Sequence, residues 1–268
     1  MATSNPAFSN SPAFSQSATK AIQWTQEPSA QQLDELYARS AATPDAMGRM
    51  TYENTIQKTV LAFVVLLATA AVGWFIPALM LPAAIVGFVL ALVNIFKKEP
   101  SPALVLAYTA AQGLFVGGIS MFFESAWPGI VTQAVIGTFA VVGVTLALFA
   151  SGKIRASKRA TQIFLVAMIG YAVFSLINMG LMLFGVTDDP WGLRGIEGPF
   201  GIPLGVIIGV FVILLAAYSL VLDFDAVKTG VERGAPAKYG WTAAFGIMVT
   251  VIWLYLEILR LLAILRGE

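Results

Sequence analysis

The sequence predicts an all-α membrane protein, a seven transmembrane helix bundle behind a disordered N-terminal cytoplasmic tail. Three observations support that fold class. Of the 268 residues, 58% are hydrophobic and only 12% charged, where a soluble domain carries about 25% charged residues. Apolar runs follow one another along the chain, most of them near the ~20 residues that a helix rising about 1.5 Å per residue needs to cross a hydrocarbon layer of ~30 Å. The loops between the runs alternate between basic and almost free of Lys and Arg. Two regions are expected, a tail over residues 1–55 and a membrane domain over residues 56–268.

Composition also excludes several kinds of chemistry. There is no Cys and no His, so zinc, haem and iron–sulfur sites lack their usual ligands, and thiol or imidazole catalysis lacks its reacting atoms. No cofactor is expected. A formal charge of +1 without a clustered basic surface argues against nucleic acid as a partner. Any response to pH must come from carboxylates, which titrate near 4 unless burial or a like charge moves them.

In chain order, the tail carries a near-duplicate hexamer, "NPAFSN" then "SPAFSQ", followed by a polar stretch with too little apolar area to order itself. Its Phe8 and Phe14 are read as low-complexity linker in preference to docking points. It lacks the basic start and apolar core of a signal peptide, so it is read as retained. The stretch "TPDAMGRMTYENT" is expected to add a short interfacial helix. Seven apolar runs follow: Val60–Met80, Leu81–Phe96, Ala103–Phe123, Ile130–Ala150, Thr161–Phe184, Ile202–Val227 and Trp241–Leu265. The second is short and is either thin or borrows residues from the turn "FIPALMLP". The loops "NIFKKEPS", "GKIRASKRA" and "KTGVERGAPAK" are basic, and the positive-inside rule puts them and the amino terminus in the cytoplasm. Glycines four apart, Gly113 with Gly117 and Gly201, Gly205 and Gly209, predict that the third and sixth spans lie inside the bundle, because small residues let helix backbones approach.

The chemistry concentrates at the end of the sixth span, "YSLVLDFDAVKTG". An ionisable group in a span is costly and usually faces the interior, on an ion or proton path. Asp223 and Asp225 point about 200° apart on a helix, so the expectation is that one faces the bundle and the other the cytoplasmic rim. Asp223 is the favoured interior acid. Asp225 is read either as functional or as a solvated acid paired with Lys228. The last run brings Thr250, Glu257 and Arg260. Glu257 and Arg260 are three apart and can pair on one face. If the hairpin turns near Pro236, Asp223 lies level with about residue 248, which makes Thr250 its neighbour and leaves Glu257 roughly 13 Å further out at 1.5 Å per residue.

Taken with the span count, "AYTAAQGLFVGGI" in the third span, "LDFDAV" at the end of the sixth and "LYLEILRLLAIL" at the end of the chain resemble the Bax inhibitor family, in its bacterial branch, over roughly Thr51 to the end. The resemblance implies a bacterial inner-membrane protein and a proton-sensitive calcium leak in which an acid of the sixth span and one of the seventh share a proton and gate the pore. The family's Asp-x-x-x-aliphatic pattern falls on Asp223. Its second acid falls on Glu257 if "LYLE" is matched to the family's "LYLD", and on Thr250 in an ungapped register that also puts Arg260 at a basic residue linked to latching the closed state. Thr at that position removes the like-charge repulsion of two acids, so a weaker or more acidic pH dependence is expected. Calcium suits carboxylate and carbonyl ligands, so the resemblance makes Asp223 a candidate calcium contact. The expected partners are therefore the lipid bilayer, calcium ions and protons. Two other readings stay open: a non-conducting modulator of a membrane-anchored ATP-dependent protease, acting through the tail, and a proton-coupled secondary transporter. An enzyme is not expected, since "GISMF" is not a nucleophile elbow, no His is available and the Gly-x-Gly-Asp signature of intramembrane aspartyl proteases is absent.

Overall fold

The computed structural model describes residues 48–187 and 189–267. Residues 1–47, most of the expected tail, lie outside them. The described chain is an all-α membrane protein with seven helices long and apolar enough to cross a membrane. We number these α1 (Tyr52–Phe75), α2 (Met80–Phe96), α3 (Pro102–Ala126), α4 (Ile130–Ala150), α5 (Lys158–Leu183), α6 (Leu204–Glu232) and α7 (Gly240–Arg266).

Of the stretch expected to form a short interfacial helix, residues 43–47 lie outside the described residues and Tyr52–Thr55 belong to the first span itself. Thr51 caps α1, its hydroxyl accepting from the Asn54 amide at 3.1 Å, so α1 starts at Tyr52, inside the stretch assigned to the tail. A side-chain oxygen at that position satisfies one of the amides a helix start leaves open. Just upstream, the chain clasps the α6–α7 turn: Met50 donates its amide to the Ala235 carbonyl at 2.6 Å and Ala237 donates to the Gly48 carbonyl at 2.8 Å. The short second run does borrow from its turn, because a 3-10 segment at Pro77–Leu79 precedes α2 and extends the span to Pro77–Phe96, 20 residues. Pro102 opens α3, where a missing N–H costs nothing. Glu124, in the last turn of α3, accepts from the Gly129 and Val131 amides at 2.6 and 3.0 Å and so caps α4.

Burial is uneven. α7 is the most enclosed helix, followed by α3 and α6, whereas α2 and α5 show most of their length to the surroundings. The outward side chains are apolar, Val166 and Ile169 of α5 and Phe88 of α2 among them, as a bilayer-facing surface requires. α1 lies closest against α3, where Gly113 and Gly117 meet the Leu66, Thr69 and Ala70 region of α1. The glycine series in the sixth run differs in part. Gly201 sits in a 3-10 turn with φ +73° before α6, while Gly205 and Gly209 pack against Ile264 and Leu261 of α7. The glycine spacing thus locates α3 and α6 in the interior and gives no sign that α7 is deeper still.

A side chain at Gly117 would drive its Cβ into the Ala70 carbonyl. Gly117→Val is therefore expected to destabilise the protein by about 1–3 kcal/mol, the usual range for overpacking, read as a lower unfolding midpoint in detergent, with Gly143→Val, whose Cβ meets nothing, as the comparison.

Candidate functional site: two acid centres along the last two helices

The first centre lies where α6 and α7 converge toward their connecting turn. Asp223 is half-buried, and its Oδ2 accepts from the Thr250 hydroxyl at 2.7 Å. Ser219, one turn before Asp223, lies 3.3 Å from the same hydroxyl. Gly246 faces the Asp223 carboxyl, so α7 offers no side chain there that would push the acid away. The neighbour expected from depth along the hairpin is thus the one observed.

A cavity of about 790 Å³ opens below this acid at the end of the bundle carrying the basic loops. Exposed Lys97, Lys98 and Arg233 stand at its rim, and Asp223 with Asp225 belong to its wall. Here the structure departs from the expectation that the two acids look in different directions. A 200° separation keeps them apart on an isolated helix, but this cavity wraps around the end of α6 from Leu222 to Arg233 and so meets both. Asp225 does not take Lys228, which pairs instead with Glu232 at 3.6 Å across one turn.

Beyond Asp223 toward the other end of the bundle the interior is closed by apolar side chains. Ala216, Leu220 and Leu254 have no exposed surface and belong to one core cluster. Past that layer comes the second centre. Glu257 is 2% exposed and does not reach Asp223. Its Oε1 accepts from Arg260 Nη1 at 2.7 Å and from the Tyr171 hydroxyl of α5, and its Oε2 faces Arg194 Nη1 at 3.6 Å. The i, i+3 pairing of Glu257 with Arg260 is as expected. Arg194 and Tyr171 are additions that sequence reasoning missed.

Arg194 arrives from the α5–α6 connection and is 5% exposed. Asn178 of α5 locks that connection, accepting from the Leu193 amide at 2.6 Å and donating to the Trp191 carbonyl at 3.3 Å. Gly192, at φ +60°, lies so close to Asn178 that a Cβ would collide with its side-chain oxygen. Arg194 Nη2 donates to the Tyr171 hydroxyl at 2.8 Å, and its guanidinium stands over the Tyr171 and Phe174 rings. The only sequence sign was a lone Arg in a loop otherwise free of basic residues, which served to assign topology.

Among the described residues, no group of three or more acidic side chains is arranged to hold a metal ion. Asp223, Thr250 and Ser219 offer one carboxylate and two hydroxyls, short of the six to eight oxygens of a calcium shell. That set can line a cation's path without trapping it. At the rim, Lys238 bonds Glu99 at 2.9 Å, and this cation holds the Glu99 carboxyl below the usual carboxylate range. The tie is therefore intact at neutral pH and lost as pH falls through the lowered value.

Comparison with protein-family models matches residues 5–267 to the family described as Bax inhibitor 1 like. The match takes in much of the amino-terminal stretch that the resemblance read from the sequence had excluded. No curated protein matches the chain.

The second centre sets two guanidiniums against one carboxylate, so its members are unequal. Glu257→Leu leaves both arginines without their shared acid and is expected to cost about 3–5 kcal/mol, the range for breaking a buried pair. Arg194→Met leaves Arg260 to neutralise Glu257 and should cost less. Unfolding of the purified variants in detergent gives the order; Arg194→Met as damaging as Glu257→Leu would refute it.

Proposed function

Because the chain belongs to the Bax inhibitor 1 like family, we propose that it is a pH-sensitive cation leak channel, with calcium as the permeating ion and the Asp223 carboxyl as the group whose protonation gates it. The observation that carries this reading is the position of Asp223: it ends a cavity open at the basic-loop end, it bonds to α7 through Thr250, and an apolar layer lies beyond it. Such an arrangement is that of a closed path with its titratable group at the inner face of the seal.

The chemistry follows from the hydrogen bond. An ionised Asp223 accepts from Thr250 and ties α6 to α7, while presenting negative charge to a cation in the cavity. Protonation removes that charge and makes one carboxyl oxygen a donor, so the tie and the cation's attraction change together. Opening then requires the layer of Ala216, Leu220 and Leu254 to part. Glu257, held by two arginines and Tyr171, fastens the far part of α7 to α5 and to the α5–α6 connection and is the latch in this reading. The basic-loop end is assigned to the cytoplasm of a bacterial inner membrane, on the positive-inside rule.

Calcium influx into proteoliposomes across a pH series tests the reading. Wild-type flux is expected to vary with pH and Asp223→Asn flux to be insensitive to it; an unaltered pH response in the variant removes Asp223 from the mechanism. Thr250→Asp places a second carboxylate within hydrogen-bonding distance of the first. Two such acids cannot both ionise cheaply, so the pH midpoint of flux in this variant is expected to move toward neutrality.

A further inference from the structure

A second cavity, of about 610 Å³, lies on the other side of α7. Its walls are α1 and α4, and its floor is made by Gly117 and Ser120 of α3 with Met248, Ile252 and Tyr255 of α7. At about 100° per residue these α7 positions point away from Thr250, so the floor is the face of α7 opposite its bond to Asp223 on α6. The cavity is a cleft and not a closed void. Val60, Leu67, Phe75 and Phe139 at its edges are strongly exposed apolar side chains, which makes its mouth continuous with the bilayer-facing surface of the spanning helices. The rings of Phe63 and Phe139 meet edge to face between α1 and α4, with centroids 6.0 Å apart.

Two properties decide what can fill it. The first is that its few polar groups are already satisfied by protein. Ser120 and Tyr255 bond each other at 2.6 Å, Thr138 donates to the Ala134 carbonyl at 2.7 Å, and Thr59 donates to the Thr55 carbonyl at 2.9 Å. A water molecule needs about two to four polar partners converging on it, and here the few hydroxyls are scattered along an otherwise apolar lining and already bond protein. The second is length. Along α1 the lining runs from Thr59 to Phe75, roughly 24 Å at 1.5 Å per residue, which exceeds the ~15 Å that is half the hydrocarbon layer and so accommodates the reach of one lipid chain. The small side chains Ala70 and Ala71 widen it along α1.

We propose that this cleft is a binding site for one acyl chain of a bilayer phospholipid, seated between α1 and α4 against the back of α7. The chain occupies space that no side chain of the described residues fills. It also couples lipid to the gate, since it presses on the helix whose opposite face bonds Asp223. The occupancy itself does not depend on the channel reading, and its test has no flux readout.

The full-length protein is reconstituted into nanodiscs of phosphatidylglycerol bearing a diazirine in the middle of one acyl chain, irradiated and mapped by peptide mass spectrometry. Labelling is expected at Val251 of α7 and Val116 of α3, half-buried residues that line the cleft behind its exposed edges. Ala71→Trp fills the cleft from α1 and is expected to abolish this cleft labelling while labelling at Ile169, on the outer face of α5, persists. Val135→Trp fills it from α4 and serves if Ala71→Trp fails to fold. Wild-type labelling confined to outward faces overturns the proposal. So does cleft labelling that survives the filling variants, or cleft labelling by a free diazirine fatty acid and not by the phospholipid.

Discussion

An ionisable side chain among membrane-spanning helices must find a partner inside the protein, and this cost organises both ends of the α6–α7 pair. At one end the solution is minimal: a single carboxylate takes a hydroxyl from the facing helix and keeps access to an open cavity. At the other end it is elaborate, with one carboxylate enclosed by two guanidiniums and a phenol. The difference in enclosure separates the roles. Asp223 borders an open cavity, whereas Glu257 is enclosed by the groups that fasten α7 to α5 and to the α5–α6 connection.

Packing reinforces this division. Where α1 meets α3, glycines bring the backbones together until no side chain could intervene, and Gly205 and Gly209 bring α6 close against Leu261 and Ile264 of α7. Such contacts give dense, sequence-specific adhesion in a medium where apolar side chains gain little by leaving lipid for protein. Between α1 and α4 the opposite occurs, and the gap left is lined by apolar side chains. The bundle therefore has a tight side and a loose side, and α7 stands between them.

How much of this could be read in the sequence depends on the range of the interaction. The seven spans, the borrowed residues ahead of α2 and the pairing of Glu257 with Arg260 follow from local length and period. The meeting of Asp223 with Thr250 was also legible, because a hairpin turning at Pro236 fixes depth by counting residues along both helices. Arg194 was not, since nothing local says that a loop residue folds back beneath α5 and α7 to reach an acid 63 positions further on. Asp225 was misread for a related reason: helical geometry gave its direction correctly, but not the extent of the cavity around the helix end. The start of α1 was missed because its polar first turns pack near the start of α7, with Thr55 buried against Gly240, so their lack of hydrophobicity said little about their structure.

The manner in which α5 is attached bears on how the wall of the bundle can yield. Only Phe164 and Asn178 of this helix are buried, and it is fastened chiefly at separate points: Tyr171 to the Glu257 cluster, Thr161 to the Tyr218 hydroxyl at 3.1 Å, and Asn178 to the following loop. Polar ties of this kind are short-ranged and directional, so they hold until they break and then offer little resistance. A shutter pinned at three places behaves in this way, shifting in discrete steps, whereas displacing α3 would mean peeling apart glycine-lined backbone along much of its length.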